Sequence, residues 1–164
     1  MTAAKAARAA AGATVRRAEL ADADELARLR WRWRVDERGE TGLTWADFRA
    51  RFAHWWQPRG GSHLAFLAEV DRVAAGTMWL AVIDRVPGPG RWERRSGLVQ
   101  NAYVVPEFRG RGVGTALLEA LQAEAAHLGL DYLSVHPSER SFDFYRRGGF
   151  AETSGVLERR PVAG

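Results

Sequence analysis

Tyr103-Val104-Val105-Pro106-Glu107-Phe108-Arg109-Gly110-Arg111-Gly112-Val113-Gly114-Thr115 decides how this chain is read. An apolar run ends at Pro106, and glycines then alternate at Gly110, Gly112 and Gly114. A helical pattern starts at once. Apolar residues recur at Val113, Leu117, Ala120, Leu121 and Leu128, and Gly129 supplies a stop. A strand–loop–helix unit of this composition suits a pyrophosphate. Glycines let backbone N–H groups crowd around a phosphate, and a helix N-terminus adds partial positive charge. Arg109 and Arg111 add guanidinium forks that match phosphate geometry. The alternative is a tight strand-to-helix turn that holds nothing.

Two other phosphate motifs fail on spacing. Gly110-Arg111-Gly112-Val113-Gly114 departs from the dinucleotide pattern G-x-G-x-x-G, and the Gly-Lys-Ser/Thr end of a Walker A loop is absent. What remains is Arg109-x-x-Gly112-x-Gly114 behind a strand ending in Val-Pro. Downstream stands Phe144-Tyr145-Arg146-Arg147-Gly148-Gly149-Phe150. The first segment resembles the acyl-coenzyme A loop of the GNAT superfamily of N-acetyltransferases. The second resembles that family's Tyr-x-x-x-Gly-Phe segment. The two lie in the expected order and at roughly the expected distance, and the resemblance covers about residues 14 to 160.

Composition narrows the classes. With 164 residues, 46% hydrophobic and 27% charged, the chain reads as one globular domain over 14–164. The alanine-rich residues 1–13 read as a disordered tail. No apolar run reaches 18 residues, so no membrane span is expected. Zero cysteines exclude disulfides, thiolate metal sites and a cysteine acyl-enzyme, and the cytoplasm is the expected compartment. The net charge of +4 comes from 24 basic and 20 acidic residues, which are interspersed. All but one of the basic residues are arginines. A polyanionic cofactor accounts for part of that bias, which disfavours nucleic acid as the main partner. The four histidines have no ligand-like spacing, so no metal is expected.

The remaining pattern gives a mixed α/β order. Strands are expected over Thr14–Leu20, His63–Val70, Val73–Ile83, Gly97–Val105 and Tyr132–Val135, with one or two more from Phe150 onward. Asp71-Arg72 is the turn of a hairpin whose type the sequence leaves open. Asp22 or Asp24 caps a first helix with Leu26, Leu29 and Trp33 on one face and Trp31 and Val35 on the other. Thr44 caps a second, striped by Trp45, Phe48, Phe52 and Trp56. A last helix runs from Ser138 to about Arg147. Trp31 and Val35 line an acceptor pocket or meet a partner subunit, so a homodimer is one expectation.

The resemblance implies the rest. The fold would be a mixed, mostly antiparallel sheet of six to seven strands with about four helices and with strands 4 and 5 splayed. Acetyl-CoA would be the cosubstrate, and its acetyl group would pass directly to a primary amine of a small molecule or peptide in a ternary complex. Ala102, Tyr103 and Val104 would hold the pantetheine arm through their backbone. Arg109, Gly110, Arg111, Gly112, Val113, Gly114 and Thr115 would hold the pyrophosphate. Ser138 stands near a cofactor-contacting asparagine of many relatives, or it caps the last helix. Tyr145 matches the family's general acid, or packs as a core tyrosine. Trp31, Val35, Asn101 and Ser134 are the acceptor-side candidates. The general base stays open between a water held by Asn101 and Ser134, His136, and Glu37 or Glu40. Asp36, Glu37 and Glu40 would draw a cationic amine, or form an ordinary solvated helix end. Two alternatives differ in class: a non-catalytic acyl-CoA-binding regulatory module, and an acetyltransferase acting on aminoacyl-tRNA.

Overall fold

The unbroken apolar run Leu64–Ala68 within His63–Val70 forces two packed faces, because successive side chains of a strand point to opposite sides. Leu64, Phe66 and Ala68 enter one core, and Ala65 and Leu67 enter another. The computed structural model describes residues 12–153. Its five strands are β1 (Ala13–Arg17), β2 (His63–Val70), β3 (Val73–Asp84), β4 (Arg95–Val104) and β5 (Leu133–Val135), in that spatial order. The first four pair antiparallel, and β5 pairs parallel to β4. Four α-helices accompany them: α1 (Ala23–Trp31), α2 (Trp45–Trp56), α3 (Val113–His127) and α4 (Phe142–Arg147). Leu117 and Leu121 of α3 and Tyr145 of α4 pack on the face of Leu64, Phe66 and Leu80. Leu26 and Leu29 of α1 and Trp56 of α2 pack on the face of Leu67, Trp79 and Tyr103. No helix among the described residues is long and apolar enough to cross a membrane.

The described sheet has five strands where six to seven are expected from the sequence. Residues 151–153 form no strand, and the rest of the expected C-terminal strands falls outside the described residues. β1 stops at Arg17 because Glu19 and Asp22 form a capping box, with the Glu19 N–H donating to Asp22 Oδ2 at 2.8 Å. That box turns Leu20 into a short 3-10 turn instead of a strand end. The Asp71-Arg72 hairpin has φ of 50° and 64° at its two central residues, which is the primed turn that matches strand twist. Thr44 caps α2 by accepting from the Asp47 N–H at 3.2 Å.

Three irregularities shape the site. The first is a π-helical turn over Arg32–Asp36 that extends α1. Leu26, Leu29 and Trp33 nevertheless share one face, as the sequence pattern predicts, and Trp31 lies on the other. Trp31 packs on Trp45 and Phe48 of α2, with ring centroids 5.5 and 5.6 Å away. The second is a bulge in β4. Trp79 faces Gln100 and Thr77 faces Tyr103, so Asn101 and Ala102 together oppose Met78. Asn101 takes φ of 48° there. Strict alternation from Val99 would put Tyr103 on the α3 face, and the bulge sends it to the α1–α2 face. The third is early separation of β4 and β5. They pair only over Gly97–Val99 and Leu133–Val135, so β4 beyond Val99 has no β5 partner. This is the splay that the resemblance implies.

Candidate active site

The unpaired stretch of β4, residues 100–104, runs directly into the glycine loop. A 3-10 turn at Pro106–Phe108 follows, and then Gly110 at φ 72° and Gly112 at φ 79°. Both conformations are left-handed, which is the freedom glycine supplies at little cost. Gly112 caps α3, and Ala116 is the first residue of the helix whose N–H reaches a backbone carbonyl, that of Gly112 at 3.0 Å. Among the described residues, no backbone carbonyl accepts from the N–H groups of residues 110–115. Six consecutive donors at a helix N-terminus form an anion site of the kind the sequence suggests. Gly114 acts differently from its neighbours. A Cβ there would lie 3.5 Å from the Phe144 ring and 3.7 Å from Val104, so α4 closes over the start of α3.

Arg109 and Arg111 diverge. Arg109 Nε donates to the Val104 carbonyl at 2.9 Å, and its terminal nitrogen donates to Glu37 at 2.9 Å. Its fork ties the loop to β4 and to the turn after α1. Arg111 lies over the Phe108 ring, 5.6 Å from the centroid, and has no carboxylate partner among the described residues. Its charge is available to an anion in the loop.

Glu37 sits at the junction. It accepts from the Tyr103 hydroxyl at 2.5 Å and from Arg109. Burial alone would raise its pKa, but the bonds from Tyr103 and Arg109, with the charge of Arg32, hold it below the ordinary carboxylate value. Burial first, and then the Glu37 bond, push the Tyr103 phenol above its ordinary range. A carboxylate so committed is a poor proton acceptor, which weighs against Glu37 as a general base. Glu40 is likewise taken, by Arg34.

The other predicted residues fall as follows. Tyr145 is 5% exposed, between Phe144 (5.0 Å) and Phe150 (5.5 Å), and burial raises its phenol pKa, so it keeps its proton at neutral pH. Ser138 stands at the N-cap of the 3-10 turn before α4, and its hydroxyl lies 3.0 Å from that of Ser141. Ser134 donates to the Gly97 carbonyl at 3.3 Å, close to where β4 and β5 part. Val35 is half-buried in the π-helical turn. Asn101 accepts from Arg30 at 2.7 Å. Trp33 stacks on Tyr103, with centroids 5.9 Å apart and planes 18° from parallel. Arg30 therefore reaches the bulge and Trp33 the residue that follows it, contacts across about 70 residues that no local pattern announces. Beside the same part of β4, Thr77 Oγ1 and Trp79 Nε1 are buried and have no hydrogen-bond partner among the described residues. No cluster of three potential metal ligands occurs among the described residues.

Residues 23–150 match the model of the acetyltransferase (GNAT) family. The chain is 30% identical over 149 residues to a mycothiol acetyltransferase of Propionibacterium freudenreichii subsp. shermanii, a match that covers 86% of this chain and 44% of that protein. It thus spans under half of that relative's length. A crystal structure described as a predicted acetyltransferase with acetyl-CoA, from Clostridium acetobutylicum, superposes with a TM-score of 0.73 at 25% identity, covering 90% of this chain and 96% of that one. A GCN5-related N-acetyltransferase from Ralstonia eutropha superposes with a TM-score of 0.70 at 30% identity, covering 93% of this chain and 100% of the other. The motifs, the parted strands and these matches agree: the chain belongs to the acetyltransferase (GNAT) family.

Proposed function

We propose that the chain transfers the acetyl group of acetyl-CoA directly to a primary amine of a small molecule or peptide. The observation that carries this reading is the junction of an unpaired β4 edge with six unbonded N–H groups at the start of α3. The first suits the peptide-like pantetheine arm and the second suits the pyrophosphate. Acetyl-CoA, when bound, supplies the activated acetyl group.

The chain's own residues then do the following. Gly110 to Thr115 hold the pyrophosphate through their N–H groups, and Arg111 adds a free charge. Arg109 sets the loop against β4 and acts as a positioning residue. The backbone of Ala102, Tyr103 and Val104 aligns the arm, and an N–H from this stretch donates to the carbonyl oxygen as negative charge grows there. One such donor is typically worth about 2.7–4 kcal/mol. Tyr145, protonated at neutral pH, gives its proton to the departing sulfur. Ser138 flanks the cofactor. Asn101, Ser134, Trp31 and Val35 border the acceptor side.

Melting the protein with and without acetyl-CoA tests the cofactor, since a ligand of the folded state alone raises the melting temperature. Release of coenzyme A thiol with a panel of amines tests the transfer. A clear shift followed by amine-dependent thiol release is expected. A shift with no release for any amine would favour the binding module, and no shift at all would remove acetyl-CoA from the site.

A further inference from the structure

Arg30, Arg34 and Arg38 follow at four-residue intervals from the last turn of α1 through the π-helical turn. Their guanidinium carbons lie 5.0, 5.8 and 5.2 Å from the centroid of the Trp33 ring. Like charges at this spacing repel, and the ring offsets only part of that. Nearby carboxylates neutralise only part of the group. Glu40 takes Arg34, and Glu37 is committed to Tyr103 and Arg109. Asp36 forms no ion pair with any of the three. Arg30 and Arg38 have no carboxylate partner among the described residues.

Arg30 is the costliest member. It is half-buried, and burial together with Arg34 depresses its pKa. Its side chain makes one hydrogen bond, to the neutral Asn101 Oδ1 at 2.7 Å. A guanidinium has five N–H donors, so most of its capacity is unspent. An uncompensated, partly desolvated cation is a poor structural element but a ready partner for an anion. Its place is also specific. Through Asn101 it touches β4 at the bulge, in the stretch left open by β5.

We infer that this cluster is an anion subsite for the acceptor: the substrate is a primary amine bearing a carboxylate or phosphate, held by Arg30 and Arg38 with its body against Trp33. The inference rests on the acetyl-transfer reading for its location. It reverses the charge expected of the acceptor from Asp36, Glu37 and Glu40, because two of those acids are already paired and the arginines are in excess.

Matched amines test it. Glucosamine 6-phosphate is compared with glucosamine, and L-tryptophan with tryptamine, so that phosphate and carboxylate are read separately. Each is measured by thiol release with acetyl-CoA and by melting shift with coenzyme A present. The phosphate- or carboxylate-bearing member of at least one pair should be favoured, by about tenfold in kcat/KM or by the larger melting shift. Arg30→Gln and Arg38→Gln should each reduce that preference, by up to about tenfold, and Arg38→Gln, whose side chain has no hydrogen bond to β4, should leave turnover of the member without the anionic group and the acetyl-CoA affinity unchanged. Arg38 is exposed, so its variant remains informative should Arg30→Gln fail to fold. Preference for the member without the anionic group in both pairs would overturn the inference, as would a preference that survives both substitutions. Parallel loss of acetyl-CoA affinity in Arg38→Gln would assign the arginines to the cofactor and also overturn it. Absence of thiol release with an intact anion-dependent melting shift would instead overturn the transfer reading and leave the subsite standing.

Discussion

Gly76→Ala should weaken both the sheet and the cofactor site. A Cβ at Gly76 would lie 2.7 Å from the Tyr103 carbonyl oxygen, 3.2 Å from Val104 Cα and 3.3 Å from Leu117 Cδ1. Carbon–oxygen contacts begin near 3.3 Å, so β3 and β4 must part by roughly 0.6 Å at this point. Leu117 can rotate, but the other two neighbours are backbone and cannot. Forcing atoms into a packed interior costs about 1–3 kcal/mol. In a chain of this size each kcal/mol lowers the melting temperature by about 2–4 °C, so a fall of roughly 2–12 °C is expected. The same displacement acts on Tyr103 and Val104, so acetyl-CoA affinity should fall as well. Calorimetric melting and a calorimetric acetyl-CoA titration read the two effects. Gly114→Ala is the control. Its Cβ meets Phe144 at 3.5 Å and Val104 at 3.7 Å, which is ordinary contact, so its melting temperature should stay within about 2 °C of the parent. A Gly76→Ala protein that melts like the parent, or a Gly114→Ala protein that falls as far, would refute the reasoning.

Tyr145→Phe should lower turnover by about 10²- to 10⁴-fold while acetyl-CoA affinity stays nearly unchanged, because only the hydroxyl, the proton donor, is removed; equal losses in both would mean that Tyr145 serves in packing. Gly112→Asp combines a side chain at φ 79° with a negative charge among the unbonded N–H groups, so the acetyl-CoA melting shift should vanish. Glu37→Gln tests the junction by pH. The folded Glu37 value lies below the ordinary 4.5, so its contribution to stability is present above that pH and is lost as pH falls through the folded value. Melting from pH 6 down to about pH 3 should therefore decline less steeply in the variant, and parallel curves would dissolve the proposed Tyr103–Glu37–Arg109 linkage.

The loop–helix unit was legible because its requirements are local. Gly110 and Gly112 occupy conformations that few other residues tolerate, and the apolar period of α3 needs no partner to be seen. The aromatic stripe of α2 was legible for the same reason, and it does pack: Phe52 and Trp56 meet Trp79 at 5.9 and 5.3 Å. Elements that depend on long-range pairing were not. Nothing in Gln100-Asn101-Ala102 announces a bulge, since asparagine tolerates the left-handed region without demanding it. Yet that one extra residue decides that Tyr103 faces Trp33 and Glu37 instead of α3. Likewise the π-helical turn shows no break in Arg32-Trp33-Arg34-Val35-Asp36.

Charge is where local reading misleads most. Asp36, Glu37 and Glu40 form an acidic cluster in sequence, and the arginines at 30, 34 and 38 form a basic one at helical spacing. Which cluster is available to a ligand depends on the partners the fold supplies, one of them far along the chain. Arg109, 72 residues from Glu37, consumes one acid, and Arg34 consumes another. What remains unspent is cationic and is anchored at the β4 bulge by Arg30 and Asn101. The sign of the acceptor site is therefore a tertiary property. The bulge that turns Tyr103 towards Glu37 also sets Asn101 within reach of Arg30, so one backbone irregularity both engages Glu37 and ties the Arg30 charge to the unpaired stretch of β4.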